Sequence, residues 1–427
     1  MTSKKQRKVP ELRFRGFTDD WEQRKLSWML DAQDGIRRGP FGSALKKSLF
    51  VSKSDYVVYE QQNAIYDHYA TRYNIPADIF RKLMKFELTP GDFIMSGAGT
   101  IGRISRVPEG VKKGVFNQAL IRFKIDSKKT DAEFFLQFMR GDDMQRRLTE
   151  SNPGSAITNL VPMNEVKKWL IHLPNLNEQK KIGDFLKTID ITLALHQRKQ
   201  SLLEKLKQGY LQKLFPQKGQ RQPELRFSGF TDDWEQRKLG RLVDTVRSYP
   251  LSRDVETSSE TGYRYIHYGD IHTGVADKIN DWRVLPSIRK GSYVTLKKGD
   301  VVVADASEDY QEIAIPSVLL DTDNQQIVAG LHTIAFRPKN ELIPLFLYFT
   351  LTAPKFRHYG YQVGQGLKVF GISRSNVEKF DLDTPSPKEQ EKIVGLLDLL
   401  DSTIALHQQE IDRLQELKQG YLQKMFV

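Results

Sequence analysis

One segment of this chain is written twice. Pro10–Ser27 (PELRFRGFTDDWEQRKLS) returns 213 residues later as Pro223–Gly240 (PELRFSGFTDDWEQRKLG), with sixteen of eighteen positions identical. A second pair recurs at nearly the same interval, 211 residues: NEQKKIGDFLKTIDITLALHQRKQSLLEKLKQGYLQKLF from Asn177 and KEQEKIVGLLDLLDSTIALHQQEIDRLQELKQGYLQKMF from Lys388. A repeat of this kind constrains architecture before any element is assigned, because both copies must accept one fold. The 427 residues therefore divide into two like units, about 10–215 and 223–427, joined by the polar linker Pro216–Gln222. Within each unit the ends are alike and the middle diverges.

The closing segments read as long helices. Asn175 and Ser386 stand as N-caps with Glu178 and Glu389 three residues on, in the capping-box position, and Pro387 opens the second helix. Steps of four and three give a seam of Ile182, Leu186, Ile189, Leu193, His196, Gln200, Leu203, Lys207, Tyr210 and Leu214. The second seam is Ile393, Leu397, Leu400, Ile404, His407, Ile411, Leu414, Lys418, Tyr421 and Met425. Helices of roughly 40 residues, about 60 Å long, need a partner. The expected one is the other copy, paired antiparallel with an approximate two-fold axis; the alternative is that each helix folds back on its own globular unit. His196 and His407 hold matching seam positions, which fits setting of register better than a metal pair or pH switch. Leu195, Leu202, Leu206, Leu406 and Leu417 fall off the seam and form a second apolar stripe, either core or docking face.

The middles share a pattern of elements. Leu88–Ile104 (LTPGDFIMSGAGTIGRI) reads as turn, buried strand, glycine turn and strand, and Leu296–Ile315 opens the same way. The strand-like runs Val115–Ile125 and Ile327–Pro338 come next, each leading to a helix-like stretch, Asp131–Leu148 or Glu341–Phe356. A last apolar run, Trp169–Leu173 or Val377–Leu382, leads into the long helix. Each middle is an α+β unit of roughly 150 residues.

Much chemistry is excluded. There is no cysteine, so disulfides, thiolate metal sites and cysteine nucleophiles are ruled out and an intracellular setting is favoured. The basic amino terminus lacks the apolar core of a secretory signal, and no run of roughly 18 apolar residues occurs, so a soluble cytoplasmic protein is expected. Gly97, Gly99 and Gly102 have the GxGxxG spacing, yet the next segment, Arg103–Gly110 (RISRVPEG), alternates like a strand and contains Pro108. A hairpin turn is expected there, not a dinucleotide site. Asn152-Pro153-Gly154 shares two residues with the adenine-methyltransferase loop but lacks its aromatic. No phosphate loop, HExxH, GxSxG or close His-Asp-Glu cluster is present.

What remains is affinity for polyanions. Lys and Arg number 65 against 53 Asp and Glu, a net charge of +12. In the first middle, Arg37, Arg38, Lys46, Lys47, Tyr66, His68, Tyr69, Arg72 and Tyr73 interleave cations with aromatic and polar groups, and Asn117 and Gln118 are suited to adenine. In the second the candidates are Arg247, Tyr249, Arg253, Tyr263, Arg264, His267, Tyr268, Lys368 and Arg374.

The order of variable unit, EQxKI-opened helix, second variable unit and second such helix resembles the specificity subunit of type I restriction-modification enzymes. Carrying the likeness are Glu178, Gln179, Lys181 and Ile182, then Glu389, Gln390, Lys392 and Ile393, preceded by Pro174 and Pro385, with LKQGYLQK at Leu206–Lys213 and Leu417–Lys424, the FTDDWEQRKL segments, and Gly91-Asp92 and Gly299-Asp300. The resemblance spans essentially the whole chain. It implies an α+β, pseudo-two-fold architecture: target recognition domains at 1–174 and 223–385, spacer helices at 175–215 and 386–427, and a linker at 216–222. Each domain would read one half of a bipartite, asymmetric site in double-stranded DNA. The chain would catalyse nothing and bind no cofactor or metal itself. Its implied partners are two modification subunits bearing S-adenosylmethionine and two restriction subunits bearing ATP and Mg. The readings set against this are a tandem scaffold binding proteins and a self-contained methyltransferase or nuclease.

Overall fold

A computed structural model describes residues 9–149, 162–217, 219–366 and 368–426. Asn152-Pro153-Gly154 lies outside these. The chain forms two compact units, residues 1–197 with 409–427, and residues 198–408.

In the first unit, a four-stranded antiparallel sheet has the order Ile36–Arg38, Leu120–Phe123, Phe93–Ser96, Ile104–Arg106. A three-stranded sheet places Tyr56–Tyr59 between antiparallel Tyr73–Ile75 and parallel Gly114–Phe116. The second unit repeats the plan with a five-stranded sheet in the order Val243–Val246, Thr333–Pro338, Val301–Ala304, Pro316–Leu319, Lys278–Ile279, and a parallel pair, Tyr263–Ile266 with Gln326–Ala329. The glycine segment is the expected hairpin: Gly99 and Gly102 take φ of +62° and +83°, and the chain returns antiparallel to the strand it left.

The run expected as one strand from Val115 is two. Gly114–Phe116 and Leu120–Phe123 belong to different sheets, and Asn117–Ala119 turns the chain between them. The run from Ile327 divides likewise at Gly330–His332. The helix-like stretches are also split, at Gly141 between Ala132–Arg140 and Asp142–Thr149, and at Ala353 before Pro354 between Pro344–Thr352 and Pro354–Val363. Proline has no N–H to extend the preceding helix and disfavours the helical region for the residue before it.

The repeated residues tie these parts together. Trp21 and Trp234 are buried, and the strands directly after them, Glu22–Lys25 and Glu235–Lys238, pair antiparallel with Leu170–Leu173 and Asp381–Thr384. The long helices span Leu176–Lys213 and Pro387–Met425, 38 and 39 residues. Asn175 caps the first through the Glu178 N–H (3.0 Å) and Ser386 the second through the Glu389 N–H (3.4 Å). The capping glutamates do not complete the box. Glu178 instead accepts two hydrogen bonds from Arg13 (2.8 Å each), and Glu389 two from Arg226 (2.7 and 2.9 Å), with each carboxylate 1% exposed. The next residue binds elsewhere: Gln179 accepts from the Asp131 N–H and donates to the Lys129 and Pro174 carbonyls. Gln390 does the same with Ile343, Glu341 and Pro385.

Both readings of the helices hold at once. In the first unit Ile182, Leu186 and Ile189 share a core with Trp21, Phe134 and Phe135, and also with Met425 from the second helix. Phe185 meets Tyr421 edge-on at 4.9 Å, and Lys418 pairs with Asp190 at 2.6 Å. In the second unit Ile393 and Leu397 pack with Phe346, Leu211 and Leu214, while Lys207 pairs with Asp401 at 2.5 Å and Gln200 donates to Gln408 at 2.9 Å. Partner numbers run in opposite directions, so the pairing is antiparallel, and Asp190–Lys418 and Asp401–Lys207 are one ion pair repeated at the 211-residue interval. Leu193, Leu203, Ile404 and Leu414 are half-buried along the seam, and Leu400 is buried. Leu195, Leu202, Leu206, Leu406 and Leu417 are exposed. Among the described residues no helix is long and apolar enough to cross a membrane.

The second unit adds Lys278, whose ammonium bridges Asp398 (2.7 Å) and Asp401 (2.9 Å). Beside it, Asp277 accepts the Tyr348 hydroxyl, and burial pushes its carboxyl above the ordinary value. The folded state thus holds this proton more tightly than the unfolded chain does, so its contribution to stability falls as pH rises through the raised value. Asp277→Asn keeps an acceptor for Tyr348 and removes the charge. It is expected to raise the urea midpoint at about pH 8, with the gain fading as pH falls toward about 4. A gain that grew on acidification would contradict this.

Candidate nucleic-acid interface

In the first unit the candidate residues fall into three groups. Lys47, Tyr73, Asn117 and Gln118 line one pocket with Pro40 and Glu60. Arg72 belongs with them: it pairs with Glu60 at 2.9 Å and lies 4.7 Å from the Tyr73 ring centre. Arg38 reaches the Gln118 carbonyl at 3.4 Å, and Lys46 is exposed next to Lys47. This first group joins residues 80 positions apart because the strand containing Arg38 pairs with Leu120–Phe123 directly after the Asn117–Ala119 turn. Exposed cations beside amide groups and an aromatic face can contact phosphates and base edges together.

Tyr66 and His68 form the second group, exposed on either side of Asp67, which turns the chain with φ of +51°. In the third group, the side chains are already committed. Tyr69 is half-buried, its hydroxyl 2.7 Å from Ser105 Oγ, so its polar end is engaged within the domain. Arg37 is held by Asp34, which also grips buried Arg122. Burial opposes ionisation of Asp34, but the hydrogen bonds and charges of Arg37 and Arg122 outweigh it and hold the carboxyl below its ordinary value.

In the second unit, Arg247 is exposed and lies 5.0 Å from the Tyr249 ring centre, and Lys368 is exposed. Tyr249 and Tyr263 both meet Tyr293 edge-on, and the Tyr249 hydroxyl accepts from the Val294 N–H at 2.8 Å. Tyr268 is half-buried, 4.5 Å from the His267 ring and 5.2 Å from His332. Arg253 is divided between Glu256 and Asp270, 2.7 Å from each. Arg374 is exposed on the short helix Arg374–Glu378, paired with Glu378 at 3.4 Å.

Two candidates of this unit point inward. Arg264 is buried, lies 4.6 Å from the Trp282 ring centre, and binds Glu260 through two contacts and the Leu285 carbonyl. Its strand register turns it into the domain. His267 is buried, and its Nδ1 caps the helix Tyr268–His272 by accepting the Gly269 N–H; burial lowers its pKa below the ordinary value. Both residues support the loops.

Residue type alone missed His332 and Phe41. His332 occupies the turn that corresponds to Asn117–Ala119: Gly97 donates to the Ala119 carbonyl, and Asp305, at the equivalent place, donates to the His332 carbonyl. Its φ is +52°, an uncommon conformation for a residue with a side chain, and its Nδ1 lies 3.1 Å from Asp305 Oδ1. Laying the FNQAL and AGLHT segments side by side would have found it. Phe41 is 86% exposed in the loop after Arg38. Among the described residues no group of three His, Asp or Glu is placed to hold a metal, His196 and His407 included.

Two like α+β units, each with strand-end loops of different composition and each joined to paired long helices, define a duplicated recognition scaffold. The family described as Type I restriction modification DNA specificity domain matches residues 19–205 and again 231–416, and the chain belongs to that family. Among individual proteins, a putative type I restriction enzyme specificity subunit of Methanocaldococcus jannaschii is 21% identical over 211 residues, a match spanning 46% of each chain. The type I restriction-modification S subunit from M. genitalium superposes with a TM-score of 0.61 at 16% identity, over 98% of this chain and 99% of that one. A chain from a structure on complex assembly and conformational transition of the type I system gives 0.53 at 17%, over 95% and 97%. At these identities the superpositions establish a shared fold.

Proposed function

We propose that this chain is a noncatalytic DNA-specificity subunit. Each unit reads one half of a bipartite, asymmetric duplex site, and the paired helices fix the distance between the halves. The observation that carries this is the duplication itself: one framework, built twice with the same Arg–Glu and Gln contacts, bears unlike cationic and aromatic groups on corresponding loops. Two similar frames with different contacts read two different short sequences. The exposed leucines on both helices are the surface for modification subunits, which supply S-adenosylmethionine and methyl transfer. Restriction subunits supply ATP- and Mg-dependent cleavage.

Mapping methylated adenines across a genome with and without the gene tests the reading. A two-part motif with a constant gap is expected only when the gene is present. Methyl transfer by the purified chain alone would revive the self-contained enzyme. Binding should also obey counterion release, with affinity falling roughly a thousandfold or more between about 50 and 200 mM salt for six or more phosphate contacts. A salt-independent interaction would favour a protein scaffold.

A further inference from the structure

Phe41 is the most exposed of the large apolar side chains among the described residues, and its setting shows that it is held out by construction. It stands in Gly39-Pro40-Phe41-Gly42, directly after the strand Ile36–Arg38. Both glycines sit on the Asn117–Gln118 turn. A Cβ on Gly39 would collide with the Asn117 carbonyl, and one on Gly42 would lie 3.1 Å from the Gln118 side-chain amide. The Gly39 N–H donates to Leu120 at 3.0 Å, and the Phe41 carbonyl accepts from Ala44 at 2.8 Å. Pro40 stiffens the approach. The loop is pinned at its root and carries the phenyl ring at its tip, with no ring partner among the described residues.

The second unit shows what an aromatic in this loop does when it is structural. There the chain leaves Val243–Val246 through Arg247-Ser248-Tyr249, and Tyr249 packs on Tyr293 and accepts the Val294 N–H. Phe41 has no such anchorage. Exposed Arg38, Lys46 and Lys47 lie three to six residues from it along the chain, Lys47 and Glu60 share a pocket with Pro40 and Gly42, and the Glu60 carboxylate is taken by Arg72. A bare ring on a stiff loop amid cations suits a polyanion that has an apolar interior, and stacked base pairs are that.

We propose that Phe41 is a wedge that inserts between adjacent base pairs of the half-site read by the first unit. It thereby selects for a step that unstacks readily, such as a pyrimidine–purine step, next to the bases contacted by Asn117 and Gln118. This rests on the reading of the chain as a DNA-specificity subunit and adds a mode of recognition to it.

The test uses the chain assembled with its modification subunits and a duplex carrying its mapped site, with 2-aminopurine placed in turn at each step of the first half. Wild type should raise the fluorescence severalfold at one step. Phe41→Ala should abolish that rise and weaken binding about tenfold or more, while Phe41→Trp should retain both. Because the ring is exposed, these variants leave the fold untouched, which thermal melting checks. Absence of any responsive step in wild type, or an undiminished response in Phe41→Ala, would overturn the wedge while leaving the functional reading intact. If Phe41→Ala instead fails to assemble with modification subunits in the absence of DNA, the ring is a protein contact and the wedge is wrong. Should wild type bind no duplex at all, the functional reading itself fails.

Discussion

Glu389→Ala is expected to destabilise the second unit by about 3 kcal/mol, as removal of one partner from a buried pair does. The carboxylate is 1% exposed and Arg226 keeps little water, so the substitution strands a cation inside the protein. Arg226 Nη1 already lacks a hydrogen-bond partner among the described residues, and Asp232 and Asp233 act on the guanidinium through their charge alone. Arg226 also holds the opening segment to the start of the long helix, and its loss should detach Trp234 from the core around Phe346. Urea unfolding monitored by tryptophan fluorescence reads the effect. Removing both charges, as Arg226→Met with Glu389→Leu, should recover most of the loss, because the cost lies in the unpaired charge. Glu165→Ala, which breaks the exposed Lys168 pair, should leave the midpoint unchanged. A small effect of Glu389→Ala would mean that the clamp does not organise the unit.

The same clamp shows where sequence reading succeeds and where it stops. The duplication, the two seams and the glycine hairpin are carried by spacing, which survives in one dimension. Glu178 and Glu389 were legible as important and misassigned in role: three residues after a cap, a glutamate matches the capping box, and only the fold brings Arg13 within 2.8 Å. The candidate interface was legible as a composition but not as a surface. Arg264 and Arg38 are both strand arginines among aromatic or cationic neighbours, yet register turns one beneath Trp282 and leaves the other beside Gln118. Phe41 and His332 escaped because residue type marks a phenylalanine as core and ranks a lone histidine low. Their significance is positional: one is held out by two glycines, and the other occupies the corner that Ala119 occupies in the first copy.

That shared corner yields the sharpest expectation about reading. The side chains that differ there are Asn117 and Gln118 in one unit and His332 in the other, where Gly330 and Leu331 offer no side-chain donor. Gln118 is exposed, its carbonyl approached by Arg38, and a glutamine in a groove pairs in bidentate fashion with adenine N6 and N7. Gln118→Ala should therefore relax the choice of a single base in one half-site, by roughly tenfold to a hundredfold in relative occupancy, a loss of about 1–3 kcal/mol. The other half and the gap should stay as they are, because the helix pairing through Asp190–Lys418 and Asp401–Lys207 is untouched. His332→Ala should do the converse, degrading one position of the other half and nothing in the first. Methylation maps from cells carrying each variant separate the outcomes. Removing a cation that meets only phosphate, as Lys46→Ala would, should instead weaken occupancy of all sites evenly, because phosphate contacts carry no sequence information. If either turn variant altered both halves, or shifted the gap, the two units would not be independent readers and the division of labour argued from the duplication would be wrong.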